Sequence, residues 1–394
     1  MSMGRSISLI LKFLSALGVL AQFIYDQNAE AKTGLGAPAL SVQMLGNRYL
    51  TSDSIQGHED VYSTIGLGYN LDSHRKDREI RFHVWVQQSL DPSQERHLTL
   101  PQAYVGWNNQ SDSFHFGVGR KLENWSLLDE EWKMGLWQAL FRWDPLKAEE
   151  QGLIGLFAHL KQDQWELALF GSPVFFPDQG PQFALAGGVF RSGNRWFLPP
   201  QDKIEVFEKE SPIYYKLVEP SLGEVVFHPS WALLLRHGKL DSGFWWQASY
   251  GHKPMNQLHL GVEGYRSLAL SDSFGSNFAV VHAGVLLHRV GTIESGHSWD
   301  DGRLWLSFSD EVPDQSELDP GWDQPPLMHN QIYGAHWRQR VALPHLPNSY
   351  FSWSYMQVEQ SVEWSRDSEA LGGESSKVQE GSATDSRLFG DQVW

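Results

Sequence analysis

Short runs with two different faces dominate this chain. In Ile80-Arg81-Phe82-His83-Val84-Trp85-Val86, Ile, Phe, Val and Val share one face while Arg, His and Trp share the other, because successive strand side chains point to opposite sides. The same split recurs in Phe114-His115-Phe116-Gly117-Val118-Gly119, Trp165-Glu166-Leu167-Ala168-Leu169, Leu258-His259-Leu260-Gly261-Val262-Glu263, Arg303-Leu304-Trp305-Leu306-Ser307-Phe308 and Phe351-Ser352-Trp353-Ser354-Tyr355. One face is apolar or aromatic; the other mixes Gly, Ser, His, Arg and Glu. Little of the chain after Lys32 carries a helical repeat, so the expected fold class is all-β and antiparallel. Alternation alone suits a soluble sandwich or propeller with one wet face equally well.

Spacing narrows the choice. Strands are expected near 39–50, 60–72, 78–90, 99–109, 112–120, 151–161, 164–171, 212–218, 224–236, 243–251, 257–269, 277–290, 302–309, 331–343, 349–359 and 386–394. That is about 16 strands, with 14–18 as the range because connections between 212 and 301 are of similar length and Phe183 to Phe190 can hold a further strand. Even-numbered connections are mostly tight (73–77, 110–111, 162–163, 219–223, 252–256, 344–348), and every long segment (121–150, 172–211, 310–330, 360–385) falls on the odd-numbered side. The contrast is weakest between 212 and 301.

Arg5, the apolar stretch from Ile7 to Tyr25 and the small-x-small run Ala29-Glu30-Ala31 read as an export signal over residues 1–31. Its longest stretch without charge or amide, Phe13 to Ala21, is too short for a spanning helix, which needs about 20 residues. The 394 residues contain no cysteine, which excludes a disulfide scaffold and a thiolate zinc site. A net charge of −16 excludes nucleic acid as the main partner, since phosphate binding runs on Lys and Arg.

The export signal, the absent cysteines, the dyad repeat with Gly on its polar face, the short and long connections and the final aromatic Trp394 together resemble bacterial outer-membrane β-barrels of porin type. The run Leu100-Pro101-Gln102-Ala103-Tyr104-Val105-Gly106-Trp107 followed by Phe116-Gly117-Val118-Gly119-Arg120-Lys121 is similar to hairpins of such proteins. The terminal run Arg387 to Trp394 departs from the pattern by alternating poorly. The resemblance implies one transmembrane antiparallel up-and-down β-barrel over residues 32–394 in the outer membrane of a Gram-negative bacterium. Its wall would touch outer-membrane lipid and lipopolysaccharide, it leaves room for a homo-oligomer, and it implies a channel for passive or selective diffusion of small polar solutes, with no reaction and no cofactor. Two other readings stay open: a structural or adhesive barrel without a pore, and a secreted Trp-rich carbohydrate-binding β protein. No G-x-S-x-G or H-E-x-x-H motif occurs, so no catalytic set can be assembled.

On the barrel reading, side-chain parity points Arg81, His83, His115, Glu166, Arg236, His259, Glu263, His282, His288, Arg303, His336, Arg338 and Arg340 toward the lumen. Arg338 and Arg340 share a face and suit anion selectivity; a wall of mutually paired charges is the plainer alternative. No two histidines stand two or four residues apart, so no metal site is expected. In the segment 121–150, Ser126 can cap a helix whose face carries Trp132, Leu136, Leu140 and Trp143 until Pro145 ends it. Folded inward, this loop would place Glu130, Glu131, Lys133, Arg142 and Asp144 at a constriction; folded outward, it would be a cap on its own Trp cluster. Of the 18 tryptophans, Trp85, Trp125, Trp132, Trp137, Trp143, Trp245 and Trp305 lie on the polar face or in this loop, where an aromatic track for a ligand could run.

Overall fold

The computed structural model describes residues 38–362 apart from 49–60, 75–76, 91–94, 195, 207–208, 268–275, 317 and 344–345. The export signal and the strand expected at 386–394 lie outside the described residues. Thirteen strands form one large sheet: β1 (Ala39–Arg48), β2 (Val61–His74), β3 (Arg78–Ser89), β4 (Arg96–Asn108), β5 (Phe114–Lys121), β6 (Leu153–Gln162) and β7 (Trp165–Ser172), then β8 (Ser230–Lys239), β9 (Ser242–Pro254), β10 (Leu287–Trp299), β11 (Gly302–Pro313), β12 (Met328–Leu343) and β13 (Leu346–Val362). Each strand pairs antiparallel with the next in chain order.

The connections sort by side without exception. One edge carries 75–77, 109–113, 163–164, 240–241, 300–301 and 344–345; the other carries 49–60, 90–95, 122–152, 173–229, 255–286 and 314–327. Three sequence assignments change. The run 212–218, the run 257–269 and the first half of 277–290 leave the large sheet. Strands 203–206, 209–218, 276–284 and 259–267 form a separate four-stranded sheet in which 209–218 and 276–284 run parallel. Period-2 alternation reports a two-faced strand but not which sheet receives it. Removing these strands from the large sheet restores the short and long phase between 212 and 301. Phe183 to Phe190 does hide strand, as the hairpin of Ala184–Ala186 with Val189–Arg191.

The sheet rolls around the segment 122–152. Trp125, Leu128, Met134, Leu136 and Trp137 of that segment share one buried cluster with Phe157 (β6), Phe170 (β7), Leu234 (β8), Val290 (β10) and Ile332 (β12), and Met356 (β13) packs against it. His97 of β4 meets Trp143 from the same segment, ring centroids 3.8 Å apart. From β4 to β13 is nine strand spacings, about 43 Å in a flat sheet. One loop reaches both only if the sheet curls into a barrel with the loop inside. The outer face carries Leu156, Leu169, Trp231, Ile293, Leu306 and Trp353, all exposed. Exposed apolar residues outside and buried polar ones inside invert a water-soluble fold and match a barrel wall in lipid.

Candidate functional site

The inward loop is held by a carboxylate on the wall. Glu294, on the inner face of β10 and 1% exposed, accepts hydrogen bonds from Ser126 Oγ (3.1 Å), Leu127 N (2.9 Å) and Leu128 N (2.9 Å). Those donors are the cap and first turn of α1 (Leu127–Trp132), where unpaired N–H groups and the helix dipole favour a negative charge. Gln247 Nε2 and Ser307 Oγ (3.1 Å) donate to the same carboxylate from β9 and β11. Ser126 is the cap expected from the sequence, its side chain accepting from Asp129 N. The helix itself is shorter than expected. Lys133 (φ 49°) and Gly135 (φ 77°) turn the chain left-handed, and Leu140 then belongs to strand Ala139–Phe141, paired with Glu149–Gln151.

Two further carboxylates shape the returning limb. Asp129 accepts from Leu136 N (3.0 Å) and Trp137 N (2.9 Å). Asp178 accepts from Leu140 N (2.7 Å) and Arg142 Nε (3.3 Å). Burial lifts both carboxyls to about 6, against the pull of those hydrogen bonds. Where the limb ends, Trp143 Nε1 donates to Glu95 Oε2 (2.7 Å), and Asn194 Nδ2 donates to the same oxygen (3.0 Å).

A row of polar groups crosses the inner wall beneath the loop. Lys121 Nζ lies 2.8 Å from Glu123 Oε2 and 2.9 Å from His159 Nε2. His159 Nδ1 lies 3.4 Å from Glu166, which accepts from Arg236 Nη1 (3.2 Å). Arg236 Nε donates to Gln247 Oε1 (2.9 Å), and Gln247 reaches Glu294. The row runs from β5 to β11 and follows the register, which sets Arg236 opposite both Glu166 and Gln247, and Glu294 opposite Gln247 and Ser307. Although burial pushes the Glu123 carboxyl up, its bond with His159 and the Lys121 ammonium outweigh this and hold it at about 2.

Other candidates are placed as follows. Arg81 and His83 of β3 pair with Glu79 (2.8 Å) and Asp72 (2.9 Å), and the His115 ring meets His159 edge-on at 5.6 Å. His288 is buried between Glu311 (2.8 Å) and Lys253 (3.3 Å). Arg303 and Arg338 stand directly opposite each other on β11 and β12, over the rings of Trp305 (4.4 Å) and Tyr350 (4.3 Å). His336 stacks on Trp305, and Arg340 N donates to Asp301 O. Glu131 lies 3.9 Å from His336, and Lys133 pairs with Glu150 at 2.9 Å. Burial raises the Glu130 carboxyl, with Lys133 and Arg303 opposing; Asp144 is buried.

Two groups sit elsewhere than sequence parity suggested. His259, Glu263 and His282 belong to the four-stranded sheet, where His282 stacks on Trp322 at 3.8 Å and lies 3.6 Å from Glu263, and His259 meets Gln324 at 3.0 Å. The tryptophans form packing more than an open track. Trp125 and Trp137 stack at 5.5 Å and are each 1% exposed, while Trp245 and Trp305 close over Leu127. Trp143 is buried, Trp85 is half-buried and Trp132 is exposed. A loop inside a barrel needs its own core, and these rings supply it. Glu294, Asp129, Asp178 and Glu95 escaped the sequence reading; only the polar parity of Glu294 and the first-turn position of Asp129 hinted at them.

A cavity of about 230 Å³ lies between the segment Phe141 to Glu149 and the inner faces of β1, β2 and β3.

No protein-family model and no curated protein sequence matches the chain. Among solved structures it is similar to OmpT, an outer membrane protein of Vibrio cholerae in its trimer form (9% identity, 82% of this chain and 79% of that one, TM-score 0.37). It is also similar to OprB of Pseudomonas putida (9%, 82% and 75%, TM-score 0.36) and OprD of Pseudomonas aeruginosa (11%, 84% and 77%, TM-score 0.35).

Proposed function

We propose that the chain is an outer-membrane channel whose lumen is narrowed by the docked loop 122–152, leaving a passage along β1–β3 for small polar solutes. The observation that carries this reading is the loop itself: it is anchored to the wall through Glu294, yet it stands off β1–β3 by an open cavity. A structural barrel has no need of a side left open. Among the described residues, the inner-wall carboxylates Glu79, Glu166 and Glu311 are each matched by a cation or an imidazole. The opposed Arg303 and Arg338, faced by Glu130 and Glu131 of α1, give the short-turn end a cross-lumen field.

Liposome swelling with solutes of increasing size tests the reading. Passage of small polyols with a sharp size cut-off is the expected result. Liposomes that stay impermeable while holding folded barrel would point to a structural role instead.

A further inference from the structure

We infer that the cavity between β1–β3 and the returning limb of the loop is a binding site for one uncharged, polyhydroxylated ring. This rests on the channel reading and names the solute class for its passage. The wall side is a row of neutral hydrogen-bonding groups. Gln43 of β1 and Gln87 of β3 both stand opposite Gly66 of β2, so two side-chain amides flank a position with no side chain. A Cβ at Gly66 would press on Gln87 at 3.2 Å. Thr64, one step along β2, adds a hydroxyl.

Thr64 is 3% exposed and Gln87 8% exposed, and both line the cavity. Amides and hydroxyls on a cavity wall offer donors and acceptors to a ligand that enters it, each hydrogen bond contributing about 0.5–1.5 kcal/mol. The opposite side presents Phe141 and Trp143, both buried, while Leu45 of β1 adds an apolar group to the wall side. An apolar ring face with hydroxyls around its edge meets both walls at once. The volume of about 230 Å³ exceeds the roughly 150 Å³ that admits benzene in an engineered protein cavity. Glu149 accepts from Thr99 (3.4 Å), while Asp144 and Lys147 bring one charge of each sign. Asp144 and Lys147 are already engaged within the protein, so neither offers a bare charge to an ion and the neutral wall groups set the preference. Gln43 and Lys147 are exposed, so the site opens to solvent.

The test is isothermal titration of the full chain, folded in detergent, with glucose, gluconate and glucosamine, which share a polyol skeleton but differ in charge. Glucose binding measurably more tightly than the other two is the expected result, with Gln87→Leu and the near-isosteric Thr64→Val each weakening it about tenfold. Retained heat-modifiable gel mobility verifies that each variant is folded. Tighter binding of gluconate or glucosamine, or glucose affinity unchanged in both folded variants, overturns the proposal. A conducting channel that binds no glucose sinks this inference alone, whereas glucose binding to a barrel that passes nothing sinks only the channel reading.

Discussion

Replacing Glu294 with alanine removes the acceptor for both first-turn N–H groups of α1 and for its cap, Ser126. A hydrogen bond to a charged group contributes about 1.5–3 kcal/mol, so three give roughly 4–9 if additive, and about 4 once they share two oxygens. A loss of that size moves the ratio of docked to undocked loop by about a thousandfold. The inner wall stays paired in register, and only Gln247 and Ser307 lose a partner there. Limited proteolysis reads the result, with cleavage expected inside 122–152 in Glu294→Ala and little in the native chain. Glu294→Gln keeps the volume and one acceptor oxygen, so it falls between them. A Glu294→Ala protein as protease-resistant as the native chain would show that the carboxylate does not hold the loop and would refute this reasoning.

Asp129 and Asp178 have folded-state values near 6, raised above the ordinary carboxyl range; the stability they contribute is full below about 4 and is lost as pH rises through 6. Protection factors of amides 136–142, with the intrinsic base-catalysed pH dependence of exchange divided out, should therefore be higher at pH 5 than at pH 7.5, and equal protection factors would count against it. A side chain at Gly334 would press on Leu128, so Gly334→Val should displace α1 at a cost of about 1–3 kcal/mol, seen as a lower unfolding temperature. Arg303→Gln with Arg338→Gln should shift the reversal potential in a salt gradient toward cations, since each removes a charge with no carboxylate within 4 Å among the described residues. Arg236→Ala removes the Arg236 bonds to Glu166 and Gln247 while His159 and Lys161 still face Glu166, and should cost about 1–2 kcal/mol, measured by thermal unfolding.

Much of the wall was legible in the sequence because strand alternation is local. The runs at 78–90, 164–171 and 302–309 needed only a polar inner face and an apolar outer one. Assignment of a strand to a sheet is not local: 212–218 and 257–269 carry the same alternation as wall strands, and their departure is visible only in the parallel pairing of 209–218 with 276–284. The loop followed the same divide. Ser126 announced its helix, but the left-handed turns at Lys133 and Gly135 broke a helical spacing that ran on to Trp143. Glu294 lies 166 residues from Leu128, and no short-range pattern links a strand carboxylate to a helix start so far away. The inner tryptophans were located by parity, while their burial depended on the loop that packs against them.

Single-channel recording in planar bilayers tests the central claim most directly. The full chain is expected to conduct in discrete steps, and a chain lacking residues 127–145 in steps several times larger, because the excised segment fills much of the lumen. Equal conductance in the two, or none in either, would contradict the account.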